Sequence, residues 1–402
     1  MRVPQFSFDC LQLSSWQLAE LYSAHQDEVK AMSTAWIRFQ SKVSLLMSTA
    51  DTVFLTGFPG FIASRLLRRL AKDSGRFLLL VQPAFRERAQ QELLSIAQEA
   101  GKSGSDFKLL SGDITEPNLD LSPADLETAR AESTIVFHLA AVYDLAVARD
   151  LALQVNVDGT RNVNEFARSL PRLRHYHYVS TCYVAGKRTG RILEHELQHE
   201  AGFRNYYEET KHLAEVEVEA LKSELPITIH RPAVVCGDSQ TGETAKYDGI
   251  YYLIFYLLKW PTVLSTFNIG NSDVALNLVP VDFVVEAMSA LARDPLASGK
   301  TVQLADPAPL STRELFDSIS RCISGRESRL TVPAPLVHTS LMLPLAPKLT
   351  GLPHPAVPYF FLKQTYDTSK STALLKPHGI ACPPFESYVQ TIVNYAVNHP
   401  EL

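Results

Sequence analysis

The chain has 402 residues, of which 46% are hydrophobic and 20% are charged, and its formal net charge is -5. This composition is typical of one large or two modest globular domains with a full core. The mild acidity and the lack of basic clusters interleaved with aromatic residues argue against nucleic acid as a partner. The five cysteines lie far apart and form no C-x-x-C pair, which predicts a reducing, cytoplasmic environment rather than a disulfide framework. No apolar run reaches the length that a membrane span needs.

Residues 1–50 precede the first predicted strand, and their apolar side chains recur at loosely helical spacing between Ser14 and Leu46. We interpret them as an N-terminal helical extension of one or two amphipathic helices. Three roles stay open for this extension. It could pack on the main domain, contact a second copy in a homodimer, or lie on a membrane surface, although its polar face is not notably basic. In the last case the protein would be membrane-associated.

A glycine-rich turn follows the first predicted strand, Thr52–Thr56. Gly57, Gly60 and Ala63 come at the spacing G-x-x-G-x-x-A and lead into a helical stretch. Such a turn presents backbone N–H groups and the positive end of a helix dipole to an anion. Gly57 permits the tight turn, Gly60 lets the backbone approach a pyrophosphate, and Ala63 allows close packing of helix on strand. The predicted cofactor-binding residues of this turn are Gly57, Phe58, Pro59, Gly60, Phe61 and Ile62.

Beyond this turn, apolar strands alternate with amphipathic helices. The predicted strands are Thr52–Thr56, Phe77–Val81, Phe107–Leu110, Thr134–Leu139, His175–Ser180 and Ile227–Ile229. The clearest helical stretches are Arg86–Ala100 and Val157–Leu170. Fully apolar strands alternating with helices indicate a parallel sheet that is covered on both faces. The pattern predicts an α/β fold with a Rossmann doubly wound parallel sheet.

The alternation breaks down after Arg231, where turn residues and aromatic residues become more frequent. We therefore predict a Rossmann NAD(P)-binding domain over 51–235 and a smaller mixed substrate-binding region over 236–275 and 306–402. The segment 276–305 is expected to return to the Rossmann domain, with a strand near Leu276–Val279 and a helix over Val281–Arg293.

The end of the second predicted strand bears on the choice of cofactor. NAD-specific sheets place an acidic residue there for the ribose hydroxyl, and an acid would repel a ribose phosphate. This chain has Gln82 instead, with Arg86 and Arg88 just beyond it. The pattern favours NADP(H) and leaves NAD(H) open.

Two further pairs of candidate cofactor-binding residues follow the third and fourth strands. Asp113 and Ile114 could frame an adenine through a hydrogen bond and an apolar contact. Ala140 and Ala141 are small where the cofactor would cross the edge of the sheet. Either pair alone would be typical of a turn or a packing site, and it is their order after a glycine turn that makes them informative.

A tyrosine and a lysine follow the fifth strand at helical spacing. Tyr207 and Lys211 stand four apart, so they share one face of a helix, whereas Tyr206 lies off the face of Lys211. A phenol is a poor acid–base group at neutral pH, and the lysine ammonium, together with a positive nicotinamide, is expected to lower its pKa. Ser180 and Thr181 lie at the carboxyl end of the fifth strand, where Thr181 could hydrogen-bond a substrate oxygen.

The segment His195–His199, HELQH, matches the H-E-x-x-H signature of zinc proteases. Such a site needs both histidines on a buried helix and a third ligand. Here the motif falls in a polar stretch between the fifth strand and the helix of Tyr207. We therefore interpret it as a loop and predict no metal site.

The ordered set of motifs resembles the extended short-chain dehydrogenase/reductase family. It runs from about Thr52 to Asp282 and comprises TGFPGFIA, SGDIT, FHLAA, NVDGTRNV, YVSTCYV, YYEETK, HRPAVVCG and NLVPVDFVV. The resemblance implies a Rossmann core and a catalytic set of Thr181, Tyr207 and Lys211. It also implies that Asn156 orders the active-site helix and that Arg231 begins the substrate side.

Within that family, TGFPGFIA and NYYEETKHLAE are most similar to the male-sterility type, the fatty acyl thioester reductases. Those reductases usually carry an arginine at the end of the second strand, where this chain has Gln82. The likeness implies an acyl substrate and a place in lipid metabolism.

Aromatic and aliphatic residues dominate the predicted substrate region, as in KYDGIYYLIFYLLKWP and PAVPYFFL. They could form only the core of that region, or they could surround a lipid-like substrate or dip into a membrane. A nucleotide-sugar diphosphate would need more cations than Lys246 and Arg231. The predicted substrate-binding residues are Tyr143, Ser180, Arg231 and Tyr251.

Together these observations predict an NADP(H)-dependent oxidoreductase that reduces an apolar carbonyl compound, such as a fatty acyl thioester, aldehyde or ketone. Two alternatives stay open. A hydroxysteroid dehydrogenase or a nucleotide-sugar epimerase or dehydratase would use the same three catalytic residues. A non-catalytic sensor or scaffold would bind the cofactor without turnover, but the intact tyrosine and lysine argue against it.

Overall fold

The computed structural model describes residues 51–73 and 75–400 and is built around a parallel sheet. The strands in chain order are β1 Thr52–Thr56, β2 Arg76–Val81, β3 Phe107–Ser111, β4 Ile135–His138, β5 His175–Val179, β6 Gly190–Ile192, β7 Ile227–Pro232, β8 Val234–Cys236, β9 Phe267–Asn268, β10 Leu278–Pro280, β11 Thr301–Leu304, β12 Leu330–Thr331 and β13 Gln364–Tyr366. Seven of them form the central sheet in the order β11-β7-β5-β4-β1-β2-β3. All neighbours in this sheet are parallel, and Val53 of β1 lies opposite both Phe77 and Ile135. The predicted doubly wound Rossmann sheet is confirmed.

Helices connect these strands. They are α1 Phe61–Leu70, α2 Arg86–Ala100, α3 Pro123–Glu132, α4 Arg149–Ala152, α5 Gly159–Arg168, α6 Tyr206–Ala220, α7 Tyr251–Lys259, α8 Pro261–Leu264, α9 Val281–Leu291, α10 Thr312–Ser324, α11 Ala334–Leu341, α12 Ala346–Thr350, α13 Ser369–Leu375 and α14 Val389–Asn398. A π-helical segment, Leu153–Asp158, joins α4 to α5, and a 3-10 segment, His354–Phe361, precedes β13.

Helices cover both faces of the central sheet. Side chains alternate between the two faces along each strand, so neighbouring residues of one strand pack into different clusters. Val53 and Leu55 of β1 pack with residues of α1 and α9 in one buried cluster. Phe54 packs with residues of α5 and α6 in another, where its ring lies 4.4 Å from that of Phe166. The fully apolar strands seen in the sequence are therefore those that helices bury on both sides.

The largest departures from the predicted elements concern the returning segment. Its strand, β10, pairs with β8 in a separate two-stranded sheet, whereas the central sheet gains β11 beside β7. β11 is a buried four-residue strand that the sequence pattern did not reveal. The predicted helix over Val157–Leu170 is divided between the π-helical segment and α5.

The smaller region is assembled from segments that are distant in the chain. Its two-stranded sheets pair β8 with β10, β9 with β12, and β6 with β13. One core cluster joins Tyr251 and Ile254 of α7 to Phe316 of α10 and Ile392 of α14. The boundaries of 51–235, 236–275 and 306–402 stay a prediction. The N-terminal extension over 1–50 and the homodimer contact predicted for it lie outside the described residues.

No helix within residues 51–73 and 75–400 is long and apolar enough to cross a membrane.

Candidate active site

A cavity of about 540 Å³ lies along the carboxyl ends of the central strands. The predicted site residues that line it are Gly57, Phe58, Pro59, Gly60, Phe61, Ile62, Gln82, Ile114, Ala140, Ala141, Tyr143, Ser180, Thr181, Tyr207 and Lys211. The predicted residues outside its lining are Arg86, Asp113, Asn156, Arg231 and Tyr251. Because the strands are parallel, turns that are far apart in the sequence meet at this one edge.

The glycine turn shapes one end of the cavity. Gly57 has a φ of +92°, and a Cβ there would lie 2.8 Å from the backbone nitrogen of Ala140. The Gly60 N–H donates to the Gly57 carbonyl at 2.7 Å, and α1 begins at the next residue. The N–H groups in the first turn of a helix have no partner within that helix. The turn therefore fits the pyrophosphate of a dinucleotide.

A buried hydrogen-bond chain supports the loop that faces Gly57. The Ala140 N–H donates to Thr56 Oγ1 at 3.1 Å, and that oxygen lies 2.8 Å from His138 Nδ1. His138 Nε2 lies 3.1 Å from Thr160 Oγ1, which donates to the Asn156 carbonyl at 2.7 Å. Burial lowers the pKa of His138 to about 3, so its ring is neutral. Since the Thr160 hydroxyl already donates elsewhere, Nε2 carries the ring proton and Nδ1 accepts from Thr56.

The other end of the cavity carries the candidate adenosine site. Gln82 Nε2 donates to Asp113 Oδ2 at 2.8 Å, so Asp113 holds Gln82 while Ile114 lines the cavity itself. Arg88 lines the cavity and Arg86 does not. The prediction that Arg86 contacts the cofactor is therefore not supported. Arg86 is the first residue of α2, and Arg88 lies two residues further along the same helix. Because a helix turns at each residue, the two side chains point in different directions.

The tyrosine and the lysine of α6 both reach the cavity, and both are buried. Lys211 Nζ donates to the Tyr178 hydroxyl at 2.9 Å and to the Val179 carbonyl at 2.8 Å. Burial lowers the pKa of Lys211 to about 7, although nearby Glu215 opposes the shift.

Burial also sets the protonation of Tyr207. It raises the pKa of the phenol well above its usual value, while a hydrogen bond with Thr181 opposes that shift. In the protein alone Lys211 does not lower the Tyr207 pKa, because desolvation dominates and the lysine is bonded to β5. The phenol is therefore held in its protonated, proton-donating form, which suits an acid. The lowering expected with the positive nicotinamide stays a prediction.

Asn156 lies behind the cavity rather than in its lining. Its amide oxygen accepts from the Val142 N–H at 2.9 Å, and its nitrogen donates to Thr210 Oγ1 at 3.0 Å. Thr210 is on α6, between Tyr207 and Lys211. Asn156 thus ties the loop after β4 to the helix that carries both residues.

Two predicted substrate residues lie elsewhere. Arg231 is buried beneath the cavity, where its Nη2 lies 2.5 Å from Glu215 Oε1, and Ser180 donates to the other oxygen of that carboxylate. Tyr251 is buried in the smaller region, and its hydroxyl accepts from the Gly237 N–H at 3.0 Å. Neither side chain is placed to contact a substrate. The sequence does not reveal that Arg231 has a buried partner, Glu215, sixteen positions away.

A second chamber of about 130 Å³ adjoins the first cavity and shares Tyr143, Tyr183, Lys246 and Asp248 with it. The Tyr143 ring contacts the Tyr207 ring edge-on at 5.1 Å, and Lys246 Nζ lies 4.8 Å from the centre of the Tyr143 ring. The remaining lining is mostly apolar and aromatic. The chamber therefore extends the cavity from the neighbourhood of Tyr207 into the smaller region.

A buried network links this chamber to α6. The Tyr359 hydroxyl lies 2.5 Å from Glu208 Oε1, and Arg204 Nη1 lies 2.8 Å from the same oxygen. Asn205 Nδ2 donates to the Tyr359 hydroxyl at 2.8 Å. Glu208 directly follows Tyr207, so the smaller region holds the helix next to Tyr207. In the sequence, this network was indicated only by the carboxylate of Glu208 beside Tyr207.

The HELQH segment is not helical. Glu196 accepts from Arg188 Nη1 at 3.2 Å and from the Leu193 N–H at 3.0 Å, and His199 Nε2 lies 2.9 Å from the Val184 carbonyl. These polar groups hold the loop together. Within the described part of the chain, no group of three or more histidine, cysteine or acidic residues could hold a metal.

The chain is similar in sequence to known reductases. It is 26% identical over 279 residues to the fatty acyl-CoA reductase wat of Drosophila melanogaster, covering 60% of this chain and 54% of that protein. It is 25% identical over 302 residues to the glycine betaine reductase ATRR of Emericella nidulans, covering 70% and 23% respectively. The chain thus spans about half, or less, of the length of these relatives.

A solved structure is similar over most of the chain. The terminal R domain from the myxalamid PKS-NRPS biosynthetic pathway aligns with a TM-score of 0.74 at 22% identity, covering 91% of this chain and 99% of that domain. This likeness supports the fold. The family model described as "Male sterility protein" matches residues 55–288, more than half of the chain. The chain therefore belongs to the male sterility family of NAD(P)-binding proteins, within the extended short-chain dehydrogenase/reductases.

Proposed function

We propose that this protein is an NADP(H)-dependent reductase of an apolar carbonyl compound, with a fatty acyl thioester as the leading substrate class. One observation carries the proposal. Tyr207, Thr181 and Lys211 line the same cavity as the glycine turn, so a proton donor and a dinucleotide site share one space. The named reductase activities of the two relatives agree with it.

The residues of the chain have distinct tasks in this mechanism. The cofactor, when bound, would supply a hydride to the carbonyl carbon. Thr181 and Tyr207 would hold the carbonyl oxygen, and Tyr207 would give it a proton as negative charge develops there. Lys211 lies one helical turn from Tyr207 and would hold the ribose hydroxyls of the nicotinamide half.

The second chamber supports the substrate class. Its lining includes Leu145, Tyr252, Ala356 and Phe360, which suit an acyl chain better than a sugar diphosphate. The cations are few, and Lys246 is paired with Asp248 at 3.3 Å. In a sugar nucleotide the diphosphate is attached to the reacting sugar itself, so its charges would need more donors near the site than the chamber offers.

The preference for NADP(H) rests on the adenosine end. Gln82 avoids the repulsion that an acid would exert on a ribose phosphate, and Arg88 lines the cavity close by in the sequence. Arg88 therefore replaces Arg86 as the candidate phosphate ligand.

The test follows NADPH and NADH oxidation with acyl-CoA thioesters, aldehydes, ketosteroids and sugar nucleotides. We expect turnover with acyl thioesters or aldehydes. Tyr207→Phe should lower kcat by about 10²- to 10⁴-fold and leave NADPH binding intact, because it removes only the proton donor. Tyr206→Phe is the matched control, since Tyr206 is 43% exposed and lies outside the cavity lining. Full activity of Tyr207→Phe would refute the mechanism, and turnover confined to sugar nucleotides would refute the substrate class.

A further inference from the structure

The smaller region exposes a group of large apolar side chains outside the two chambers. Six of them are between 57% and 70% exposed. They are Trp260, Val263, Leu336, Leu343, Leu345 and Leu349, and we call them the apolar face. Scattered exposed leucines are ordinary, but a concentration of them in one region marks an interaction surface.

Contacts between the segments show that the elements carrying these side chains adjoin one another. Lys259 Nζ donates to the Leu349 carbonyl at 2.6 Å, which joins the end of α7 to α12. β9 pairs with β12, which brings the stretch after α8 beside the stretch that leads to α11. His354 Nε2 lies 3.1 Å from the Leu343 carbonyl and closes the loop around α12. The six side chains therefore come from elements that touch one another.

The charge of these segments differs from that of the whole chain. Residues 249–272 and 328–366 contain no aspartate or glutamate, although the chain has 43 acidic residues in 402. The same stretches expose Lys259, Arg329 and Lys348. Two segments that carry cations and no carboxylates of their own, on a protein of net charge -5, favour contact with an anionic surface, although Asp273 lies 3.7 Å from Lys363 at their edge.

Helix α11, which carries Leu336 of the apolar face, packs against residues of the second chamber. Val337 and Leu341 of α11 are buried, and they belong to a cluster that includes Tyr252, Ala356 and Phe360. The last three also line the second chamber. One layer of apolar side chains therefore connects the exposed face to the space next to Tyr207.

We propose that the apolar face docks on the surface of an anionic lipid bilayer. Tryptophan is favoured at the boundary between headgroups and acyl chains, and leucines can enter the outer acyl layer. Lys259, Arg329 and Lys348 would meet the anionic headgroups. The contact is peripheral and would let an apolar substrate reach the second chamber from the bilayer.

The experiment uses the full chain and a binding readout that does not depend on the reductase assignment. Flotation with phosphatidylcholine vesicles, with and without phosphatidylglycerol, measures partitioning. We expect binding to the anionic vesicles that weakens as salt rises. Absence of vesicle binding, or binding to an acidic protein such as an acyl carrier protein in place of vesicles, would overturn the proposal.

Variants locate the contact. Leu345→Ser with Leu349→Ser should lower the partition coefficient at least about tenfold, because two exposed leucines no longer enter the acyl layer. Leu94→Ser with Leu296→Ser is the matched control, since these leucines are 68% and 60% exposed outside the face and should change nothing. Lys348→Gln should weaken binding to anionic vesicles about fivefold. Binding that survives the Leu345 and Leu349 changes would lie elsewhere in the chain and would overturn the proposal.

Discussion

The central sheet and the smaller region bury different chemistry. At the cavity and beneath it, the sheet and its helices bury three polar groups that each have a hydrogen-bond partner. They are the Arg231–Glu215 pair, Lys211 and the neutral His138. The smaller region buries mainly aromatic and aliphatic side chains and leaves an apolar face exposed. Polar groups that are fixed in a low dielectric suit proton transfer, whereas apolar walls suit the binding of a carbon chain. The two tasks of the proposed reductase are thus divided between two kinds of packing.

The two regions meet at Tyr359. Its ring lies 4.6 Å from that of Tyr183, its hydroxyl contacts Glu208, and it lines the second chamber. Substitutions in the central sheet and at Tyr359 itself test whether the two regions have separate tasks.

The largest expected effect is on the buried pair of the central sheet. Arg231→Met should lower the free energy of unfolding by about 3–5 kcal/mol, because it leaves the Glu215 carboxylate buried without its cation. Arg168→Met removes a surface partner of Glu224 and should cost about 1 kcal/mol or less. Urea unfolding measures both. Equal losses would show that the buried pair does not stabilise the sheet.

A smaller effect is expected where the regions meet. Tyr359→Phe should cost about 1.5–3 kcal/mol, because a hydrogen bond to a buried carboxylate is lost. If Tyr359 positions α6, kcat should also fall while NADPH binding is unchanged. Tyr366→Phe is the control, since its buried hydroxyl bonds to the neutral amide of Gln364 at 3.1 Å. A fall in kcat of the same size in both variants would contradict the positioning role.

The third prediction concerns pH and Lys211. The folded lysine loses its proton near a pKa of about 7, and an exposed lysine of ordinary pKa loses it near 10.5. The unfolded chain therefore holds one more proton between these values, so the contribution of Lys211 to stability rises with pH there, by up to about 1.4 kcal/mol per pH unit.

Urea unfolding across that pH window measures the difference in the free energy of unfolding between the natural chain and Lys211→Met. The difference should shift in favour of the natural chain as pH rises and should be constant below the folded pKa. Lys187→Met, at an exposed lysine, should leave the slope unchanged. A flat difference would show that Lys211 keeps its proton when folded.

The smallest expected effect concerns the choice of cofactor. Arg88→Ala should weaken NADPH binding about tenfold and leave NADH binding unchanged, because a single ion pair to an added phosphate is lost. Arg86→Ala, outside the cavity lining, is the control. Fluorescence titration of bound cofactor compares the variants. Equal weakening of NADPH and NADH in Arg88→Ala would remove the argument for NADP(H).

The sequence by itself determined the parallel sheet and the turns that carry the site. Apolar strands and the glycine turn are local patterns, and parallel strands bring their carboxyl ends to one edge in any such sheet. Hence the sequence alone predicts that Gly57, Thr181, Tyr207 and Lys211 meet at one edge of the sheet, although several strand–helix units separate them in the chain.

Only the tertiary structure decided the partners of the long and buried side chains. Arg88 rather than Arg86 lines the cavity, Arg231 pairs with Glu215, and Tyr251 lies in a core. Each outcome depends on where a neighbouring element places its side chains, which local spacing does not specify. The contact of Tyr359 with Glu208 joins residues 151 positions apart, so no repeat or motif in the chain predicts it.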